Sequence, residues 1–313
     1  MEYIALGCMS GTSLDGIDCS LVKSDGVSYV TDISNEFIPY SDGLQLKLRN
    51  VILKGYLDDI KVINQLNQEY KDSINNFIKK NNFEIDLIAM HGQTVYHDQK
   101  TKISIQLFDK SIRFNTNSPV ICNFRKNDLL NGGNGAPIMP EFHRVLANQL
   151  DLKKVIFVNI GGVTNITVID NQKITAGDSS FGNAIVNDLI YEKTKERFDV
   201  DGSLSNNGQK IDVLFKRIIS DKYFLEKLPK SLDRNYFHKY IDNSIKDKNL
   251  NDLIYTLLEV IPFAISSLIS SQSDFKIILM GGGRKNLTLQ KIFSKYFDNI
   301  SLIDDFQIDG DFI

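Results

Sequence analysis

The stretch that most constrains this chain is Gly7-Cys8-Met9-Ser10-Gly11-Thr12-Ser13-Leu14-Asp15-Gly16-Ile17-Asp18. Tyr3–Leu6 before it reads as a buried strand, and Cys19–Val22 after it reads as a second one. From Gly11 to Asp18 the only long apolar side chains are Leu14 and Ile17; the rest are glycines, hydroxyls and carboxylates. A tight strand–turn–strand of this makeup suits a phosphate chain. Glycine lets backbone N–H groups turn inward without a Cβ, Ser and Thr add hydroxyl donors, and Asp can hold a hydrated Mg²⁺. Taken alone, the stretch suits an ordinary hairpin with a long polar turn better. The rest of the chain decides between the two.

A length of 313 residues exceeds one small core, and about two domains are expected. The formal net charge of −3 leaves no electrostatic footprint for nucleic acid or an anionic membrane. No uninterrupted apolar run reaches the ~18 residues that span a bilayer. Met1-Glu2-Tyr3 does not open a secretory signal, so a cytoplasmic location is expected. Cys8, Cys19 and Cys122 are odd in number and lack C-x-x-C spacing, which argues against a disulfide framework or structural zinc. Cys8 and Cys122 read as small buried fillers.

Val27–Pro39 alternates and supplies a third strand. Ile60, Ile63, Leu66, Tyr70, Ile74 and Phe77 recur at helical spacing, predicting a helix over Leu57–Asn82 with Asp58 or Asp59 as N-cap. Ile85–Met90 is an apolar strand expected to end abruptly in His91-Gly92-Gln93-Thr94, and Ile103–Leu107 and Val120–Phe124 are further strands. Open α/β sheets place ligands outside such carboxyl ends. Gly132–Pro137 continues no regular structure, so the domain boundary is set there: an N-terminal domain over 1–130 and a C-terminal domain over 131–313. A short helix over Glu141–Leu150 follows.

Val155–Ile160, Gly161-Gly162 and Asn165–Ile169 then repeat the opening design of apolar strand, glycine turn and apolar strand. Two such hairpins, one per half, imply a duplicated α/β architecture with a ligand held between the halves. Helices are expected over Ala184–Arg197 and Gly208–Ser220, and a buried one over Leu253–Ile269, kinked at Pro262. Ile277–Met280 is a strand running into Gly281-Gly282-Gly283, with a helix from about Asn286 to Phe297 and a last strand at Ile300–Ile303. A strand, three glycines and a helix start let a backbone approach a ligand closely.

Six motifs stand in one order: Met9–Asp18; His91-Gly92-Gln93-Thr94-Val95-Tyr96-His97; Phe124-Arg125 with Asp128 and Gly132–Pro137; Asn159–Asn165; Pro229-Lys230-Ser231 with Arg234 and Phe237; and Gly281–Gly283 with Asn286. Together, across essentially the whole chain, they resemble the anhydro-N-acetylmuramic acid kinases of the sugar kinase, actin and heat-shock ATPase superfamily. The resemblance implies two duplicated actin/hexokinase-like ATPase domains with an interdomain active-site cleft. It implies an ATP- and Mg²⁺-dependent kinase of cell-wall recycling that opens 1,6-anhydro-N-acetylmuramic acid with water and phosphorylates O6. It also implies a homodimer. The partner is then a small amino sugar, with no nucleic acid and no membrane.

By the same resemblance the ATP phosphates fall on Gly11, Thr12, Ser13, Leu14, Asp15, Gly16, Ile17 and Asp18, with Asp15 reaching Mg²⁺ through water. A second phosphate contact falls on Gly161, Gly162 and Asn165, and the adenosine side on Gly281, Gly282, Gly283 and Asn286. The sugar side falls on His91, Gln93, Thr94, Arg125 and Asp128. The family's general base maps to Asp178, within Ala176–Asn183. The chemistry independently asks for such a residue, because water or a sugar hydroxyl attacks poorly until a positioned carboxylate takes its proton. The phosphoryl group itself needs positioning and charge neutralisation.

Plainer roles stand beside these. His91 and His97 could cap a strand end, and Arg125 and Asp128 could be a solvated ion pair. His143 and His238 read as surface or boundary residues, and Lys230 and Arg234 as a wet helix face. The chain also departs from the family pattern. Ser180-Phe181 replace Gly-Pro beside Asp178, Ser231-Leu232-Asp233-Arg234 replaces Ser-Thr-Gly-Arg, and Asn123 replaces an Asp. The family continues with a Glu-bearing helix that returns to the first domain, and this sequence stops just short of that Glu. The departures keep two other readings open: a degenerate relative that binds nucleotide without turnover, and a kinase for a different sugar.

Overall fold

A computed structural model describes residues 1–11, 14–54, 59–98, 101–245, 247–269 and 274–311. The chain separates into two compact units, Met1–Ile138 and Met139–Asp311.

In the first unit, strands β1 (Tyr3–Ser10), β2 (Gly16–Ser24), β3 (Val30–Pro39), β4 (Leu87–Asp98) and β5 (Ile103–Leu107) form a sheet in the order β3-β2-β1-β4-β5, with β6 (Val120–Ile121) added on β4. Helices α1 (Asp42–Lys54) and α2 (Ile60–Asn81) supply the apolar cover. From α2, Leu66, Tyr70, Ile74 and Phe77 are buried with Leu6, Ile17 and Leu21 of the sheet, as the helical spacing predicts. Ile60, in contrast, is exposed. Asp59 is the N-cap, its carboxylate accepting from the Lys61 and Val62 N–H groups; Leu57 and Asp58 lie outside the described residues.

Three expectations change here. α1 was not anticipated, although Leu44, Leu48 and Val51 are buried at helical spacing. β4 does not end at Met90 but runs through the polar cluster to Asp98. Gly92, at φ +78, makes this continuation possible: a Cβ there would lie 2.8 Å from the Leu107 carbonyl oxygen, so only glycine lets β5 close against β4. Finally, β6 is two residues long, because Asn123 adopts the left-handed φ of +64 and Phe124 opens helix α3 (Phe124–Leu130) instead of extending the strand. Asn tolerates that conformation better than most residues.

The second unit begins with α4 (Pro140–Gln149). Its sheet runs β11 (Ile300–Leu302), β10 (Lys276–Met280), β7 (Lys154–Ile160), β8 (Val163–Asp170), β9 (Lys173–Phe181). Helices α5 (Asn183–Thr194), α6 (Asp212–Ile219), α7 (Leu250–Leu268) and α8 (Leu287–Phe293) complete it. β9 was not anticipated; it carries Asp178 inside a strand. α7 runs unbroken through Pro262 and packs against β9, α5, α6 and α8. Among the described residues it is the one helix whose length and composition would let it cross a membrane, and most of that window is buried in this core.

The two sheets share a plan. β1 pairs antiparallel with β2 and parallel with β4, and β2 pairs antiparallel with β3. β7 stands in the same relations to β8 and β10, and β8 to β9. β6 lies parallel on β4 as β11 lies parallel on β10, so β5 is the arm peculiar to the first unit. The core of the second unit centres on Ile254, Leu257, Leu258 and Ile261 of α7. Leu257→Ala is expected to lower stability by about 2–5 kcal/mol, seen as an earlier urea midpoint. Val213→Ala, on the exposed face of α6, should stay within about 0.5 kcal/mol of the parent.

Candidate active site

In the first unit the β1–β2 connection is Gly11–Asp15; Thr12 and Ser13 lie outside the described residues. Gly16, Ile17 and Asp18 belong to β2 itself. Gly16 is fixed by crowding, since a Cβ there would sit 2.4 Å from the Ile38 carbonyl oxygen. Leu14 is buried at φ +59, while Asp15 is exposed and its carbonyl accepts from Tyr40 N at 2.9 Å. The start of the loop is braced from beneath. Gln93, fully buried, donates its side-chain amide to the Gly11 carbonyl at 2.8 Å, and the Tyr40 and Tyr70 hydroxyls lie 2.8 and 3.1 Å from Ser10 Oγ. The amide of Gln93 is thus committed to the loop.

His91 and Arg125 meet. Arg125 donates from Nε to His91 Nε2 at 3.0 Å, and His91 Nδ1 lies 2.8 Å from the Gly92 carbonyl oxygen. This pattern requires the neutral ring with its proton on Nδ1. Burial, reinforced by the adjoining guanidinium, pushes the His91 imidazolium down to about 4. Arg125 and Asp128 both hold the glycine loop. The Asp128 carboxylate accepts from Gly135 N at 2.6 Å, and Arg125 Nη1 reaches the Gly135 carbonyl at 3.4 Å. Gly133 lies so close to the Asp128 carboxylate that a Cβ would be 2.2 Å away. Thr94 is half-buried on β4, opposite Gln106 of β5, and His97 faces Ser104, with Nδ1 3.0 Å from its hydroxyl.

In the second unit the register assembles a polar row. Asn159 of β7 pairs with Asn165 of β8, which pairs with Asp178 of β9. Directly paired residues share a sheet face, so the three half-buried side chains lie side by side. The β8–β9 register shifts between Thr164 and Asn165, leaving Ser179 as an extra residue. Such a bulge re-aims the residue next to it. The Asp178 carboxylate accepts from Leu232 N at 2.8 Å, its N–H donates to the Lys230 carbonyl at 2.8 Å, and its carbonyl accepts from the Tyr223 hydroxyl at 2.6 Å. The bulk of Ser180-Phe181 is absorbed by the interior: Phe181 is buried against Phe237, with ring centroids 5.2 Å apart, and Ser180 is fully buried.

The Gly161-Gly162 turn docks on the start of α5, its carbonyls accepting from Asn183 N at 2.8 Å and Ala184 N at 3.2 Å. Gly182 permits this approach; a Cβ there would lie 2.4 Å from the Gly161 carbonyl oxygen. Nearby is a cavity of about 310 Å³ lined by Asn183, Val186 and Asn187 of α5, the Phe198–Asp201 loop, Leu258, Gly282, Gly283, Lys285 and Asn286. Gly281 (φ +71) and Gly283 are forced, since a Cβ on either would lie 2.2 or 2.3 Å from Asn159 Oδ1 or Ile160 Cγ2. Gly282 meets nothing within 4 Å and borders the cavity. Asn286 caps α8 by accepting from Leu289 N at 2.9 Å, and its amide reaches the Asp199 carboxylate at 3.2 Å.

Several residues escaped sequence reading. Asp199, buried, ties the cavity wall together by accepting from Leu204 N at 2.7 Å and the Ser205 hydroxyl at 2.5 Å; the turn-forming Asp201-Gly202 pair just after it was the available signal. Lys230 is not on a wet face but 6% exposed, whereas Arg234 keeps its half-exposed pairing with Asp188 at 3.1 Å. His143 is also buried, stacked on Phe157 with Nδ1 2.8 Å from the Thr167 hydroxyl, and burial pushes its imidazolium down to about 3. Cys8 and Cys19 are buried opposite each other on β1 and β2, while Cys122 is only half-buried.

The repeated sheet plan, the two glycine hairpins and the carboxylate beside the second of them define a duplicated actin/hexokinase-like ATPase fold. The comparisons with known proteins narrow this. The family model described as anhydro-N-acetylmuramic acid kinase matches residues 2–313, and the chain belongs to that family. It is 34% identical to the anhydro-N-acetylmuramic acid kinase of Pelagibacter ubique (strain HTCC1062), over 99% of this chain and 88% of that one. It is 32% identical to the protein so named from Gluconobacter oxydans (strain 621H), over 98% and 89%. Among solved structures, component A of the (R)-2-hydroxyglutaryl-CoA dehydratase of Acidaminococcus fermentans superposes with a TM-score of 0.48 at 10% identity, covering 96% of this chain and 91% of that one.

The neutral state of His91 has a consequence for acid stability. Its folded value of about 4 lies below the ordinary 6.5. As pH falls below 6.5 the unfolded chain therefore takes up a proton that the folded chain refuses. Stability is full above pH 6.5 and falls by up to about 1.4 kcal/mol per pH unit down to pH 4. His143 acts with the same sign. His91→Gln should therefore reduce, not abolish, the loss of denaturant midpoint between pH 7 and pH 5; equal losses in parent and variant would refute the assignment.

Proposed function

We propose that this chain is an ATP-dependent kinase that opens the 1,6-anhydro bridge of 1,6-anhydro-N-acetylmuramic acid with water and transfers the γ-phosphoryl group to O6. The product is N-acetylmuramic acid 6-phosphate, and the setting is cytoplasmic recycling of the murein wall. The observation that carries the reading is the polar row ending in Asp178, in the same unit as the Gly161-Gly162 turn and the glycine-edged cavity. As general base, Asp178 takes a proton from water as its oxygen bonds to the anomeric carbon. The bond from that carbon to O6 breaks, and O6 becomes the phosphoryl acceptor. The bond from Leu232 N–H holds the carboxylate in one orientation for this.

The second unit also receives the nucleotide in this reading. The apolar Phe198, Val200 and Leu258 side chains flank the base, and the open side of Gly282 leaves room that a Cβ would take. Gly161, Gly162 and Asn165 contact phosphate. The first unit supplies the Gly11–Asp18 phosphate loop, in which Asp15 would hold Mg²⁺ through water; the ion would offset charge on the phosphates. His91, Arg125, Asp128 and Thr94 bind the sugar, while Gln93 supports the phosphate loop from below.

Two outcomes test this. In an ATP-consumption assay with 1,6-anhydro-N-acetylmuramic acid, Asp178→Asn should lose about 10²–10⁴-fold in kcat while nucleotide binding persists; sugar-dependent turnover equal to the parent's would refute the base. Gly282→Leu should fold normally and weaken nucleotide binding tenfold or more, about 1.4 kcal/mol, in titration calorimetry. Unchanged affinity would move the nucleotide out of the cavity.

A further inference from the structure

The charge on Lys230 has no place in the chemistry described so far, yet this lysine is 6% exposed. Burying an ammonium is costly unless it is well partnered. Lys230 Nζ donates to the Tyr223 carbonyl at 2.9 Å and stands 4.0 Å from the centre of the Tyr223 ring. Tyr223 in turn donates its hydroxyl to the Asp178 carbonyl, and the backbone of Lys230 accepts from Asp178 N–H. Two residues on, Leu232 N–H holds the Asp178 carboxylate. The fit is close: a Cβ on Gly177 would lie 2.7 Å from the Lys230 carbonyl oxygen.

We propose that Lys230 is a positioning residue for Asp178: its ammonium, docked on Tyr223, pins the 229–232 segment whose backbone grips that carboxylate, and its charge favours the carboxylate form. The proposal rests on Asp178 being the general base. Burial lowers the Lys230 ammonium to about 8, opposed by the carboxylates of Glu226 and Asp178. Tyr223, whose phenol is pushed upward by burial, also lies against it. Beyond Tyr223, Asp221 is neutralised by Lys239 and hydrogen-bonded by Tyr236 and Tyr240. The charge of Lys230 is therefore present at pH 7 and lost through pH 8.

The test uses the full chain and the sugar-dependent ATPase assay, with kcat followed from pH 5 to pH 10. Lys230→Met keeps the length and removes the charge. Its kcat should fall about tenfold or more with KM for ATP unchanged, and its acid limb should move to higher pH, because a carboxylate that loses a nearby cation protonates more readily. Lys230→Arg should regain much of the rate and lose the alkaline fall near pH 8. If Lys230→Met does not fold, Tyr223→Phe removes only the hydroxyl on the Asp178 carbonyl, and a several-fold fall in kcat is expected. Parent-like kcat and limbs in the lysine variants, with Asp178→Asn inactive, would overturn the proposal. Activity in Asp178→Asn would instead remove the base assignment beneath it.

Discussion

The register of β8 between β7 and β9 is the constraint on which the polar row of the second unit depends. It aligns Asn159, Asn165 and Asp178 in one row. Side chains alternate with a period of two, so a slip of one residue would send Asn165 to the other face and drag the fully buried Ile166 outward. Two buried bonds oppose that slip where the strands bulge: the Ser179 hydroxyl to the Thr164 carbonyl at 3.2 Å, and the Thr164 hydroxyl to the Phe181 carbonyl at 3.0 Å. Leaving these desolvated hydroxyls unpaired would make the alternative pairing costly. Polar groups fix the alignment, and the apolar core makes it worth keeping.

What could be read from the chain follows from how local the signal was. β1, β7 and β10 are apolar runs that only a sheet interior can absorb, and α7 is apolar nearly all round; each was visible in advance. β9 was not, because Thr175, Ser179 and Ser180 gave it the polarity of a loop, and only its pairing with β8 makes it a strand. Lys230 failed for the complementary reason. A lysine is nearly always solvated, and the carbonyl and ring that bury this one come from Tyr223, which no local pattern marks as its neighbour. Gly92 shows a third case: its place in a polar cluster suggested a strand end, whereas its missing side chain lets the strand pass.

The duplicated sheet plan has been put to unequal use. In the first unit the hairpin connection spans Gly11–Asp15 and presents an exposed carboxylate; in the second it is only Gly161-Gly162. A long connection can fold around a ligand chain, while a two-residue turn can only present its backbone to one. The additions differ as well. The first unit extends β4 through β5, and the second inserts the Phe198–Asp201 wall held by Asp199. The common strands supply stiffness, and the differences lie where the strands end.

Gln93 bears on how such a chain can change over generations. Its amide serves the Gly11 carbonyl while its neighbours on β4, His91 and Thr94, face different partners. A mutation at Gln93 is therefore pleiotropic: it alters the polar cluster and unseats the start of the opening loop together. Arg125 and Asp128 sit on α3, and both are tied to the glycine loop at Gly135. Arg125 also holds His91 of β4, so a change on α3 is felt on the strand as well. Strand and helix in this region are therefore bound to vary together, and neither can drift alone.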